Sequence, residues 1–167
     1  MTVHELDALP AEEAARALGA CCGSSRWVQG MLARRPFETL DVVLDAADDV
    51  WWPLGPNDWH EAFAHHPRIG ERSSTAPQSE RASAWSAGEQ SKASQADDAT
   101  RAALAQANRD YEHRFGFIYI VCASEKSPEE LLAIARERLV HDADTELRIA
   151  AEEQRKITRL RLEKLLN

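Results

Sequence analysis

The spacing of apolar residues predicts helices over most of the chain. Thr39 can cap a helix whose apolar side chains recur every three to four positions, the pattern of a helix with one buried face: Leu40, Val43, Leu44, Ala47, Val50 and Trp51. A helix is predicted to begin at Pro10, because proline is favoured in a first helical turn, and to end near Gly19. Two further helices are predicted over residues 26–35 and 58–64.

The last third of the chain has the strongest helix signals. Ser127, Pro128 and Glu130 combine a serine cap, a proline at the first helical position and a glutamate at the capping-box position, which predicts a helix to about His141. A final long helix begins at Asp142 or Asp144, and its apolar stripe contains Leu147, Ala150, Ala151, Ile157, Leu160, Leu162 and Leu165. Residues 99–113 form another predicted helix.

Two segments depart from this pattern. Residues 71–94 are rich in Ser, Ala, Gln and charge, which is typical of a surface loop or of weakly packed short helices. Residues 115–122 are apolar, aromatic and β-branched, which predicts a short extended or buried stretch, and no partner strand is visible elsewhere. We therefore expect an all-α, single-domain bundle over residues 1–167, with seven or eight helices and one irregular apolar segment near 115–122.

Composition and charge narrow the classes of partner. The chain is 44% hydrophobic and 29% charged, with 20 basic and 28 acidic residues, so the net charge is −8. An acidic domain repels nucleic-acid backbones, and no apolar run approaches the roughly 20 residues that span a bilayer. Three cysteines, two of them adjacent, suit a reducing compartment better than a disulfide framework. We expect a cytoplasmic protein that binds neither nucleic acid nor membrane.

The histidines and cysteines do not have the spacing of a metal site. His60 and His65 are five positions apart, so on a helix they point about 140° away from each other, whereas paired zinc ligands on one helix are four apart. The cysteines form no Cys-x-x-Cys pair, and no glycine-rich phosphate loop occurs. We expect neither a metal nor a cofactor.

His66 is the first candidate for chemistry. Pro67 disfavours helical geometry at His66, and Gly70 permits a sharp turn, so the histidine sits on a stiff connection that can aim it into a pocket. Imidazole can donate, accept and titrate near neutral pH, as proton transfer requires. The alternative is that His66 only caps the preceding helix and interacts with its dipole.

Glu89 and Arg161 are the other candidates. Glu89 lies beside an amide and two hydroxyls in residues 85–91, a set that could bind a polar, nitrogen-rich ligand or simply form a solvated loop. Arg161 shares the apolar side of the last helix with Ile157 and Leu165. From there it could hold a carboxylate or carbonyl in a cavity, or extend to the surface. Together, the three side chains suit a small polar substrate that supplies its own electron sink.

Five sequence blocks resemble one known family nearly from end to end. The blocks are Cys21-Cys22-Gly23-Ser24-Ser25-Arg26-Trp27, the stretch from Trp59 to His66-Pro67-Arg68-Ile69-Gly70, Ser86-x-x-Glu89-Gln90, Tyr111-x-x-Arg114-Phe115-Gly116-Phe117, and a last block closing on Arg161-Leu162. In this order they are similar to the 2-oxo-4-hydroxy-4-carboxy-5-ureidoimidazoline (OHCU) decarboxylase family of purine degradation. Ile118 departs from the pattern, because many members have proline there.

The resemblance implies an all-helical, cofactor-free enzyme, generally a homodimer, that decarboxylates OHCU to (S)-allantoin. The family's catalytic residues correspond to His66, Glu89 and Arg161. Its substrate-binding positions correspond to Pro67, Ser86, Gln90, Phe115, Gly116, Phe117 and Ile118. Two alternatives stay open from sequence: a helical ligand-binding module without turnover, and an enzyme for a related ureido or hydantoin compound, which the departure at Ile118 keeps open.

Overall fold

Nine α-helices make up the computed structural model over the residues that it describes, 1–71, 76–92 and 95–167. They are α1 (Val3–Ala8), α2 (Ala11–Cys21), α3 (Ser25–Leu32), α4 (Leu40–Trp51), α5 (Pro56–Ala64), α6 (Glu80–Glu89), α7 (Asp98–Phe115), α8 (Pro128–Arg138) and α9 (Ala143–Leu165). No strand occurs in these ranges. The predicted all-α class is confirmed, but the count exceeds the predicted seven or eight helices.

The additional helix is α1, which the apolar spacing did not reveal because it is only six residues long. Its sequence signal is a capping box. The Thr2 hydroxyl accepts from the backbone N–H of Glu5 at 3.2 Å, and the Glu5 carboxylate accepts from the backbone N–H of Thr2 at 2.7 Å. A Thr-x-x-Glu pattern at the start of the chain could therefore have predicted it.

Helix α6 forms inside the segment that was predicted to be a loop or weakly packed short helices. Ser79 caps it by accepting from the backbone N–H of Ala82 at 3.1 Å. Among its ten residues only Ala82 and Ser86 are buried, so the prediction of weak packing is confirmed for α6 itself. The remainder of that prediction falls partly on residues 72–75 and 93–94, which lie outside the described residues.

The apolar segment after α7 is irregular, as predicted. Gly116 ends the helix with a φ of 78°, a conformation that costs glycine little, and its N–H donates to the carbonyl of Glu112. Residues 118–123 then run without helix or strand and are all buried. Such a segment must find partners for its backbone groups elsewhere in the fold.

The chain divides into two compact units, residues 1–62 with 155–167 and residues 63–154. That residues 1–167 form a single domain stays a prediction. In the first unit, the buried indole of Trp27 donates to the carbonyl of Ala47 at 3.1 Å and links α3 to α4. Asp48 of α4 accepts from Arg155 at 2.9 Å and from Arg159 at 3.0 Å, which ties the end of α9 to α4.

A buried charged network organises the second unit. The carboxylate of Glu146, with no exposed surface, accepts from the Arg138 guanidinium at 2.6 Å and from the hydroxyl of Tyr111. Nδ1 of His141 lies 3.1 Å from the same carboxylate. Arg138 also donates to the carbonyl of Ile120 at 2.6 Å. The network therefore joins α7, α8 and α9 and supplies one of the partners that the irregular segment needs.

None of the helices in the described ranges is long and apolar enough to cross a membrane.

Candidate active site

The turn that carries His66 is connected to α6 and α7 by side-chain hydrogen bonds. The buried side chain of Asn108 in α7 donates to the carbonyl of Ile69 at 2.9 Å. Gln90, which follows α6, accepts from the backbone N–H of Gly70 at 2.9 Å. Gly70 has a φ of 89°, in the region where a side chain is strained, so glycine is required at this bend.

Arg68 adds a third connection. Its guanidinium donates twice to the carboxylate of Glu112 in α7, at 2.9 and 2.8 Å, and this pairing raises the pKa of Arg68. A forked pair of this kind fixes direction as well as distance. Consecutive residues of the turn are thus held by three different side chains, which sets the backbone from which His66 projects.

The imidazole of His66 is buried, with 8% of the residue exposed, and it contacts α9. Its Nε2 lies 2.7 Å from Oε1 of Gln154, a residue with no exposed surface. An amide oxygen can only accept a hydrogen bond, so this contact is a hydrogen bond in the tautomer that has its hydrogen on Nε2. In the neutral ring the lone pair is then on Nδ1.

A cavity of about 610 Å³ opens between this turn and α6. Three predicted substrate-binding residues line it: Pro67, Ser86 and Gln90. Gln78 lines it as well and donates to the hydroxyl of Ser86 at 3.2 Å. The volume is within the range of about 300–1,000 Å³ that is usual for small-molecule sites, and the amides and hydroxyls in its wall suit a ligand rich in N–H and C=O groups.

Glu89 is the last residue of α6 and is half-buried. Burial is the main cause that raises the pKa of the Cys122 thiol, and the negative charges of Glu153 and Glu89 raise it further, against the opposing charge of Lys126. Glu153 also accepts from the backbone N–H of Cys122 at 3.4 Å. Because Glu153 precedes Gln154, one turn of α9 contacts both the backbone of Cys122 and the imidazole of His66.

The structure brings some of the predicted site residues together and leaves others apart. Pro67, Ser86 and Gln90 line the cavity. His66 precedes Pro67 in sequence and Glu89 precedes Gln90, but neither His66 nor Glu89 is among the described residues that line it. Phe115 and Phe117 pack on Tyr111 with ring centroids 4.7 and 5.7 Å apart, and the remaining predicted binding positions, Gly116 and Ile118, also do not line the cavity within the described residues. Their assignment as substrate-binding residues stays a prediction.

Arg161 belongs to the first unit. It is 3% exposed and donates to the carbonyl of Ala20 at 3.3 Å. Burial raises the pKa of Cys22 to about 12, and the positive charge of Arg161 opposes that shift. The sequence left a surface position open for Arg161, and the structure shows a buried one. Its action on the same substrate as His66 stays a prediction.

The sequence did not reveal two polar residues that contact the turn carrying His66. Gln154 and Asn108 are polar side chains at buried positions of helices. Gln154 is three and four positions after the buried Ala151 and Ala150, so it falls within the apolar stripe of α9. A polar residue in such a stripe needs a hydrogen-bond partner, and that requirement was the available signal.

Over the described ranges, no three His, Cys, Asp or Glu side chains are grouped closely enough to hold a metal ion. Cys21, Cys22 and Cys122 are all buried thiols.

These features define a class: an all-helical protein with a histidine on a fixed turn beside a polar cavity of substrate size. The chain belongs to the OHCU decarboxylase family, whose model matches residues 7–163. The family that the sequence blocks resembled is therefore confirmed.

Named relatives agree with that assignment. The chain is 39% identical over 149 residues to the uric acid degradation bifunctional protein TTL of Arabidopsis thaliana, covering 88% of this chain and 45% of that protein. This chain thus spans less than half the length of the plant relative. It is 26% identical over 168 residues to 2-oxo-4-hydroxy-4-carboxy-5-ureidoimidazoline decarboxylase of Haloferax volcanii, covering 97% of this chain and 94% of that protein.

A solved structure is similar over nearly its full length. The crystal structure of OHCU decarboxylase in the presence of (S)-allantoin superposes with a TM-score of 0.76 at 33% identity, covering 90% of this chain and 96% of that one. The similarity extends the family assignment from sequence to fold.

Proposed function

We propose that this chain is a carboxy-lyase that decarboxylates OHCU to (S)-allantoin in urate degradation. The observation that carries the proposal is the turn from His66 to Gly70. It holds a buried imidazole in one orientation, and its Pro67 borders a cavity whose other walls include Ser86 and Gln90. A fixed acid–base group beside a polar, substrate-sized cavity is what this reaction needs.

The substrate supplies the electron sink. The carbon–carbon bond to the carboxylate breaks, CO₂ leaves, and the electron pair remains on the ring, where the adjacent ring nitrogens and carbonyl delocalise it. The hydroxyl on the carbon that carried the carboxylate loses its proton as the new carbonyl forms, and the neighbouring ring carbon and a ring nitrogen each take up one proton to give allantoin. One proton is taken up overall, because a carboxylate is replaced by neutral CO₂. Proton movement is therefore the task left to the protein.

His66 is proposed to assist that proton movement. With Nε2 donating to Gln154, Nδ1 of the neutral ring has the lone pair that can accept the proton of the substrate hydroxyl. A base held in one orientation acts on one face of the substrate. Directed protonation would then give one enantiomer of allantoin, whereas unassisted decay should give both.

Glu89 and Arg161 are proposed to bind the substrate. The carboxylate of Glu89 would accept hydrogen bonds from ureido or ring N–H groups and fix the reactive face. The resemblance gives Arg161 the role of holding carbonyl or carboxylate oxygens and stabilising the charge that develops on them. The cavity lining next to Glu89, namely Ser86 and Gln90, would add neutral hydrogen bonds.

The test follows freshly generated OHCU by circular dichroism with and without the protein. We expect substrate loss faster than in the protein-free control and the appearance of one allantoin enantiomer. An unchanged, racemic decay in the presence of folded protein would contradict the proposal. Binding of OHCU without turnover would then indicate a ligand-binding module, and turnover of hydantoin analogues alone would indicate a related ureido substrate.

The resemblance also implies a homodimer, and we propose that the protein is dimeric and cytoplasmic. Sedimentation equilibrium measures the mass directly. A mass of twice 18.7 kDa is expected, and a single chain at all concentrations would contradict the dimer.

A further inference from the structure

We propose that Gln154 is a positioning residue that fixes the orientation and tautomer of His66. The inference rests on the proposed function, since it concerns the acid–base group of that reaction. Gln154 is not among the residues that the sequence blocks assigned to the site. The hydrogen bond from Nε2 of His66 to Oε1 of Gln154 joins two residues 88 positions apart in sequence at 2.7 Å.

Burial strengthens this hydrogen bond. Gln154 has no exposed surface and His66 is 8% exposed, so water competes little for either group. A hydrogen bond in such surroundings is electrostatically stronger than one in water, and leaving either partner unsatisfied is costly. The imidazole therefore has one strongly favoured ring position.

The backbone that carries Gln154 is itself held. The preceding residue, Glu153, accepts from the backbone N–H of Cys122 at 3.4 Å, and Ala150 and Ala151 on the turn before are fully buried. Earlier in α9, Glu146 is bound by Arg138. The amide of Gln154 therefore projects from a fixed stretch of helix, as a positioning group must.

A neutral amide suits this position better than a carboxylate. An amide oxygen selects the tautomer with hydrogen on Nε2 and leaves Nδ1 as the basic nitrogen, because it cannot donate in return. A carboxylate would select the same tautomer but would also stabilise the imidazolium and raise its pKa. Gln154 thus fixes the geometry of His66 without adding a charge that would oppose the release of its proton.

Substitutions separate positioning from structural support. Gln154→Leu keeps the bulk and removes the acceptor, and we expect kcat to fall roughly 10- to 100-fold with KM changed much less. Gln154→Glu keeps the acceptor, so it should retain more activity than Gln154→Leu and move the acidic limb of the pH profile upward. Ser127→Ala, which removes the cap of α8, is the control: it should lower Tm and leave kcat unchanged.

A double-substitution cycle gives the decisive kinetic comparison. In a His66→Ala background, Gln154→Leu should have no further effect on turnover, because the group that it positions is gone. An additional 10-fold loss in that background would overturn the proposal, as would wild-type turnover in Gln154→Leu alone.

The ring nitrogens provide a readout that is independent of activity. ¹H–¹⁵N correlation spectra of the histidine rings in the wild-type protein should show His66 with hydrogen on Nε2, its signal assigned by its absence in His66→Asn. Hydrogen on Nδ1 in the neutral ring would overturn the proposal. Absence of OHCU turnover in the wild-type protein would contradict the proposed function instead, and the spectrum would still decide the role of Gln154.

Discussion

The turn from His66 to Gly70 and helix α6 border the same cavity but are held in opposite ways. Side chains of Asn108, Gln90 and the Arg68–Glu112 pair bind the turn. By contrast, α6 has only two buried residues among its ten, and one of them, Ser86, faces the cavity. The difference indicates that the group proposed to move protons is fixed in advance, whereas the wall that carries Glu89 is weakly anchored.

This contrast has an energetic basis. The hydrogen bond from Asn108 to the carbonyl of Ile69 is buried, so opening it would leave a donor and an acceptor unsatisfied, at a cost of about 1–3 kcal/mol. Helix α6 has little apolar burial to lose, so its opening should require much less free energy than global unfolding. A substrate that binds between the turn and α6 therefore contacts one rigid wall, the turn from His66 to Gly70, and one adjustable wall, helix α6.

The largest expected effect is at His66. His66→Ala removes the proposed acid–base group, and we expect the rate of OHCU decarboxylation to fall about 10²- to 10⁴-fold. Steady-state kinetics with fresh substrate measures the loss. Far-ultraviolet circular dichroism, which reports helix content, checks that the variant is folded. Near-normal turnover would remove His66 from the mechanism.

A smaller loss is expected at Glu89 on the adjustable wall. Glu89→Gln keeps the shape but replaces a charged acceptor by a neutral one. We expect kcat/KM to fall roughly 10- to 100-fold, the equivalent of losing one charge-assisted hydrogen bond. If Glu89→Gln instead costs more than His66→Ala, the assignment of the acid–base role to the rigid wall is wrong.

Loss of one anchor of the turn should affect stability. Asn108→Ala leaves the carbonyl of Ile69 without its donor, and we expect the free energy of unfolding to fall by about 1–3 kcal/mol. Urea denaturation measures the change. Gln106→Ala, two positions earlier on the exposed face of α7, is the matched control and should change stability by less than about 0.5 kcal/mol. Equal values for the two variants would show that the turn is not held as described.

The smallest expected effect is in α6. Ser79→Ala removes its cap and should destabilise that helix by about 1 kcal/mol, with little change in global unfolding. Hydrogen exchange measured by mass spectrometry should show α6 exchanging faster than α7 in the wild-type protein and faster still in Ser79→Ala. Equal protection of α6 and α7 from exchange would contradict the lower local stability described for α6.

Local signals in the sequence predicted much of the fold. Thr39 and Ser127 cap α4 and α8 as expected, and the irregular stretch after Gly116 was predicted from its β-branched and aromatic residues. These features depend on neighbours within a few positions. Helix α1 was missed although Thr2 and Glu5 form a capping box, because a helix of six residues has too few apolar positions to show a period.

The contacts that shape the candidate site could not be predicted in the same way. Asn108 and Ile69 are 39 positions apart, and His66 and Gln154 are 88 apart. Which polar side chain meets which backbone group at such separations depends on how helices pack, and apolar periodicity does not encode it. The sequence indicated that His66 lies on a stiff turn, but only the packed structure shows what fixes its ring.

The most direct test of the account compares the enantiomer of allantoin formed from OHCU by the wild-type protein and by His66→Ala at equal protein concentration. We expect one enantiomer from the wild-type protein, and from His66→Ala a rate about 10²- to 10⁴-fold lower with a product closer to the racemate. Formation of the same single enantiomer by both proteins at the same rate would contradict the account.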